Sequence, residues 1–74
     1  MGFDYSRLDG KITEITGTRK LFADKMNLSE RSISLKMNNK IQWKQSEIEK
    51  ACQVLRIPAS DIPLYFFTPK VQYL

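Results

Sequence analysis

Tyr5, Leu8, Ile12 and Ile15 recur at intervals of three and four, the spacing that lines one face of an α-helix. The segment from Tyr5 to Thr16 is therefore predicted to be an amphipathic helix, capped by Asp4 and ended by Gly17. Gly10 lies inside it at a cost of about 1 kcal/mol relative to Ala, so packing rather than propensity must hold this helix. Behind Thr18 as N-cap, Leu21, Phe22 and Met26 place apolar groups on one side of a short second helix. Asn27 closes it, because after Gly it is Asn that most readily takes the left-handed conformation just past a helix end, and Leu28 then points back to the core.

Ser29 caps a third helix, with Glu30 in the first turn, where the helix dipole favours a carboxylate. Ile33, Leu35 and Met37 cannot all face one core, and Arg31, Ser32 and Lys36 are expected along the polar edge. "NNK", Asn38 to Lys40, reads as a turn, and Ile41 and Trp43 as anchors of the loop after it. Ile48, Ala51, Cys52 and Leu55 give the spacing of a fourth helix from Lys44 to Leu55, which Pro58 helps to end. "PASDIP" has room only for a short fifth turn, since Pro63 disfavours the helical conformation at Ile62. Beyond "LYFF" the tail "TPKVQYL" reads as extended. The expected architecture is all-α, four to five helices in one domain over residues 1–67 with an extended tail over 68–74.

Composition narrows this picture. A chain of 74 residues buries only about 60% of its unfolded surface and supports a single small core. Hydrophobic residues at 42% are enough for that core without a metal or a disulfide, and the single Cys52 has no partner within the chain. No apolar run approaches the roughly 20 residues of a membrane span, and "MGFDYSRLDG" lacks the apolar stretch of a signal peptide. A cytoplasmic setting without membrane association is the expectation. With no His, no Cys pair and no Gly-rich phosphate loop, and with Glu47 and Glu49 pointing in different directions, neither catalysis nor a cofactor or metal has a footing.

The net charge of +4 is unevenly placed. Arg19, Lys20, Lys25, Arg31, Lys36, Lys40 and Lys44 face only Asp24 and Glu30 in the middle third, while the rest of the chain has five basic residues against six acidic ones. Such a localised positive field attracts polyanions, although a solvated basic face is the blander reading.

Phe22, Ala23, Met26, Leu28 and Ile33 form a fixed apolar set across one tight turn, and the small Ala23 lets two helices cross closely. "RKLFADKMNLSERSISLKMNNK" resembles the two-helix motif of phage repressors and Cro-like proteins. "SERSISLKMNNKIQWKQSEIEKACQVLRIPASDIPLYFF" is more similar still to small phage-encoded regulators of Gram-positive hosts, with their run close to S-R-S-T-L-S-x-K-L-N-G-K, an aromatic, S-E-I and a final FF. The chain departs from these patterns where Asn27 and Asn39 replace Gly, Arg19 replaces Gln, and Lys36 replaces the apolar residue of the lambdoid pattern, leaving Met37 to pack.

The resemblance implies a lambda-repressor-like DNA-binding domain that regulates transcription at bacteriophage operator half-sites of double-stranded DNA in a bacterial host cell. It implies that Ser29, Glu30, Arg31, Ser32 and Leu35 face base edges in the major groove, with Arg31 suited to guanine. It further implies that Arg19, Lys20, Lys36, Asn38, Asn39 and Lys40 hold phosphates. Arg31 as a solvated ion-pair residue, Glu30 as a dipole partner, and Trp43 with "YFF" as core rather than base-stacking groups are the competing readings. A homodimer, paired through the tail, would extend the site read. The alternative function is a switch modulator or antirepressor that binds a partner repressor, for which Leu35 on a polar face and the apolar tail are suited.

Overall fold

The first apolar row turns inward as the spacing dictates, in a computed structural model that describes residues 2–71. Helix α1 covers Ser6–Thr16 and buries Leu8, Ile12 and Thr16. Thr16 tolerates burial because its hydroxyl donates to Ile12 O at 2.7 Å. The core takes Leu8 and Ile12, and Ile15, at the edge of this row in the last turn, is exposed instead of packed. The start also differs from expectation. Tyr5, not Asp4, occupies the N-cap, while the Asp4 carboxylate accepts the Ser6 N–H at 2.9 Å and the Ser6 hydroxyl at 2.6 Å. Those two bonds from Ser6, hydroxyl first, hold the Asp4 carboxyl below the usual carboxylate range.

Helices α2, Arg19–Met26, and α3, Glu30–Met37, follow, and α4 runs Gln45–Leu55. The core is completed by Phe22, Ala23 and Met26 of α2, Ile33 and Met37 of α3, and Ala51 and Leu55 of α4, with Tyr5, Ile57 and Phe66 from the connecting segments and the last helix. Leu21 is exposed, because the inward row of α2 is the one through Phe22 and Met26. Cys52 is half-buried against this core, and burial pushes its thiol up, away from the reactive thiolate. Arg56 ends α4 in the left-handed conformation at φ 57°, from which Ile57 turns back to donate to Cys52 O at 2.9 Å.

The chain beyond α4 is more helical than its prolines suggest. A 3-10 turn at Ala59–Asp61 leads directly into α5, Ile62–Phe66, and Ile62 is helical at φ −52°, ψ −46°. Pro63 sits in the first turn of α5, where a missing N–H costs no hydrogen bond. Phe66 is then buried and Phe67 left on the surface. Among the described residues there is no strand, only an antiparallel bridge between Phe3 and Pro69. Asp4 N–H donates to Thr68 O at 2.7 Å and Lys70 N–H to Gly2 O at 3.2 Å, so the start of the tail pairs with the chain's own N-terminal segment. The expected dimer contact falls partly on residues 72–74, outside those described. No helix is long and apolar enough to cross a membrane among the described residues.

Gly17 closes α1 at φ 92°, and a Cβ there would meet nothing within 4 Å. Gly17→Ala is therefore expected to act through backbone strain alone, costing about 1–2 kcal/mol, and to lower the calorimetric Tm by several degrees, roughly 4–8 °C per kcal/mol for a domain of this size. An unchanged Tm would mean that α1 ends without the left-handed residue.

Candidate functional site

The α2–α3 corner is built by backbone chemistry. Thr18 Oγ1 accepts the Leu21 N–H at 3.1 Å to start α2. Asn27, left-handed at φ 57° and ψ 42°, stops it, and Leu28 N–H reaches back to Ala23 O at 2.9 Å. Ser29 Oγ then accepts the Ser32 N–H at 3.0 Å and opens α3. This is the corner expected from the sequence, and Ala23, buried at the crossing, provides its close approach.

The five residues expected to face bases lie at the N-terminal end of α3 and one turn on, and none of them is fully buried. Ser29, Glu30 and Arg31 are exposed, and Ser32 and Leu35 are half-buried. The six expected phosphate contacts are not brought together. Arg19 Nε is bound to Asp9 of α1 at 3.0 Å. The Asn38 amide donates to Ser34 O at 2.9 Å, within its own helix end. The Asn39 amide clamps the N-terminal segment, accepting the Phe3 N–H at 2.9 Å and donating to Phe3 O at 3.0 Å. Only Lys20 and Lys40 are exposed with no side-chain partner among the described residues.

Lys36 corrects the expectation most sharply. It was placed on the polar edge of α3 as a phosphate contact, yet it is 4% exposed. Its Nζ lies 2.8 Å from Glu47 Oε1 of α4, donates to Gln42 O at 3.2 Å, and stands 5.8 Å from the Trp43 ring centroid. The reason is register: Ile33, Lys36 and Met37 form one i, i+3, i+4 row, so a lysine in that row points inward and must find a counter-ion. Glu47, which the sequence reading passed over, is that counter-ion. It sits in the first turn of α4, where the same Oε1 accepts the Lys44 N–H at 2.8 Å. Burial pushes the Glu47 carboxyl up, but the bonds from Lys36 and the Lys44 N–H outweigh this and hold it below the usual carboxylate range.

Beside this pair lies a feature that no periodicity in the chain announces. An open groove of about 340 Å³ runs between Phe3, the loop with Ile41 and Trp43, and Phe66–Phe67 at the end of α5. Phe3, Ile41 and Phe67 are exposed on it. Trp43 and Phe66, the competing core reading for these aromatics, do pack, edge to face at 5.4 Å. Leu35 O accepts the Lys40 N–H at 2.8 Å and the Ile41 N–H at 3.4 Å, so the groove begins where the α3 face ends.

Comparison with known proteins gives two findings. A family model described as "Protein of unknown function (DUF739)" matches residues 1–69 and carries no DNA-binding description. The chain is also similar to the modulator of repression (MOR) of the temperate bacteriophage TP901-1 from Lactococcus lactis. Its solution structure is 56% identical and matches over 97% of both chains with a TM-score of 0.81. No curated protein matches.

The Lys36–Glu47 pair generates a stability test. Glu47→Gln leaves the Lys36 charge buried and is expected to cost about 3–5 kcal/mol, whereas Lys36→Met with Glu47→Leu should be near neutral, as apolar replacements of buried pairs often are. Because the folded carboxyl titrates below its unfolded value of about 4.3, its contribution is complete above that pH and is lost as pH falls through the folded value. Urea midpoints at pH 7 and pH 3 should therefore differ more in the parent than in the double variant. Equal pH dependence would assign acid sensitivity to other groups.

Proposed function

The chain belongs to the DUF739 family, and from that footing we propose that it is a phage switch modulator acting by binding a partner repressor. The observation that carries this reading is the similarity to the modulator of repression over nearly the whole of both chains. The match is one of sequence as well as of fold, at 56% identity.

The geometry supports the same reading. A DNA-binding face depends on cations and amides free to meet phosphates. Here Lys36 is buried, Arg19 is tied to Asp9, and the amides of Asn38 and Asn39 are used internally. What α3 exposes is Glu30 and Arg31, with the half-buried Ser32, Ser34 and Leu35 after them. Arginine is enriched among the few desolvated residues that carry most of the affinity of protein interfaces. Of the cations expected to contact DNA, Arg31, Lys20 and Lys40 are those left exposed and without a side-chain partner among the described residues.

Calorimetric titration against the repressor encoded in the same phage genome separates the two. A modulator forms a stoichiometric complex whose affinity falls by about tenfold or more in Leu35→Ala, as for an interface anchor. It binds the intergenic switch DNA weakly at all salt concentrations. A DNA-reading regulator shows no repressor complex, and its DNA affinity falls on a log-log salt slope of about −0.9 per neutralised phosphate. That result, with loss of sequence preference in Arg31→Ala, would overturn the proposal.

A further inference from the structure

The N-terminal segment from Gly2 to Asp4 is bonded along both of its edges. An extended chain directs the N–H and C=O of one residue to one side and the facing groups of its neighbours to the other. Phe3 turns both of its groups toward Asn39, whose side-chain amide accepts the N–H at 2.9 Å and donates to the carbonyl at 3.0 Å. On the opposite edge Gly2 O accepts the Lys70 N–H at 3.2 Å and Asp4 N–H donates to Thr68 O at 2.7 Å. Pro69 stands opposite Phe3, at the position in this pairing that needs no N–H. The segment is thus the middle member of a three-part clasp, with one edge supplied by a side chain.

That side chain belongs to the end of α3. The Asn39 backbone N–H donates to Lys36 O at 3.2 Å, its φ of 61° turns the chain out of the helix, and Lys40 N–H then returns to Leu35 O at 2.8 Å. Whatever holds the Asn39 amide therefore holds the last turn of α3, Leu35 included. The clasp itself rests on hydrogen bonds more than on burial, since Phe3 is 37% and Val71 66% exposed and Phe3 meets Phe67 edge to face at the surface. Segments with exposed hydrogen bonds and few buried apolar contacts open at a lower free energy than the core. This one can open while Leu8, Ile12, Phe22 and Ile33 stay packed.

Resting on the modulator reading, we propose that the clasp is a latch on the repressor-binding face, with Asn39 as its positioning residue. Closed, it holds the last turn of α3 and Leu35 in the shape that binds the repressor; open, it releases them. Asn39 acts through α3 and need not touch the repressor. A partner that selects the closed form binds with its intrinsic dissociation constant divided by the closed fraction, so closure and affinity are tied by one number.

Amide hydrogen exchange reads the latch without the repressor, and calorimetric titration with the repressor encoded in the same phage genome reads the face. In the parent the Phe3, Asp4 and Lys70 amides should open together, ahead of the core amides. Asn39→Gly keeps the left-handed turn and removes the amide. It should leave Asp4 and Lys70 nearly unprotected and weaken the complex by the factor by which the closed fraction falls, about tenfold for a latch open about nine-tenths of the time. Gly2→Ala puts a Cβ 2.7 Å from the Asn39 side-chain carbon and should open the latch in the same way, yet add nothing in the Asn39→Gly background. Gly17→Ala, which lowers the Tm from the other end of α1, should keep the three amides protected and affinity within about twofold. Affinity that follows Tm across all these variants, Gly17→Ala included, overturns the latch in favour of plain destabilisation. Asp4 and Lys70 amides that stay protected in Asn39→Gly, or a full-strength complex once they are exposed, also overturn it, and both leave the modulator reading standing. Absence of any repressor complex in the parent overturns both.

Discussion

A lysine ammonium in a small protein core is tolerable only if a carboxylate meets it, and the meeting of Lys36 with Glu47 governs how the rest of this molecule is arranged. The pair fixes α3 against the N-terminal turn of α4, two elements otherwise joined by the loop from Asn38 to Lys44. The loop cannot drift, because Lys36 Nζ also bonds Gln42 O and the Glu47 carboxylate also bonds the Lys44 N–H. Trp43 is held between these anchored neighbours, close to the ammonium, and presents its ring to Tyr5 and Phe66. One ion pair thus joins α3, the loop from Asn38 to Lys44 and the first turn of α4 beside the Trp43 ring.

The same loop governs the chain termini. Asn39 is left-handed at φ 61°, which turns its amide toward Phe3 and lets it act as one more rung beside the Phe3–Pro69 bridge. A Cβ on Gly2 would lie 2.7 Å from the Asn39 side-chain carbon, and that amide is held by two hydrogen bonds, so the approach requires glycine. Phe3 is delivered to the groove by this clamp and Phe67 by the end of α5. Residues far apart in sequence therefore share a wall only because a polar turn residue ties them.

What was legible in the sequence is what local chemistry decides. Thr18, Asn27 and Ser29 specify helix ends through their own side chains or backbone preference, and the row Phe22, Ala23, Met26, Ile33 announces the corner by spacing. What was not legible depends on partners distant in the chain. Lys36 reads as solvent-facing by type, and only the inward register of Ile33 and Met37 argued otherwise. Glu47 had no signal beyond its place in a helix's first turn. Pro63 was over-weighted as a breaker, because its preceding residue is helical only through the 3-10 turn that feeds α5. The groove is a product of the termini meeting the loop, a contact no periodicity encodes.

The internal roles of these side chains bear on the proposed reading of the α3 face. Every cation or amide recruited for internal structure is withdrawn from the phosphate backbone: Lys36 to the core, Arg19 to α1, Asn38 to its own helix end and Asn39 to the N-terminus. A nucleic-acid surface draws much of its affinity from many such contacts, so their loss is cumulative. A protein interface depends instead on a few well-placed anchors, toward which complementary charges steer a partner. The positive middle third of the chain then keeps its physical meaning while changing its target. On the proposed reading its field would serve association with a protein, and the apolar Leu35 beside it would supply a contact that phosphates do not need.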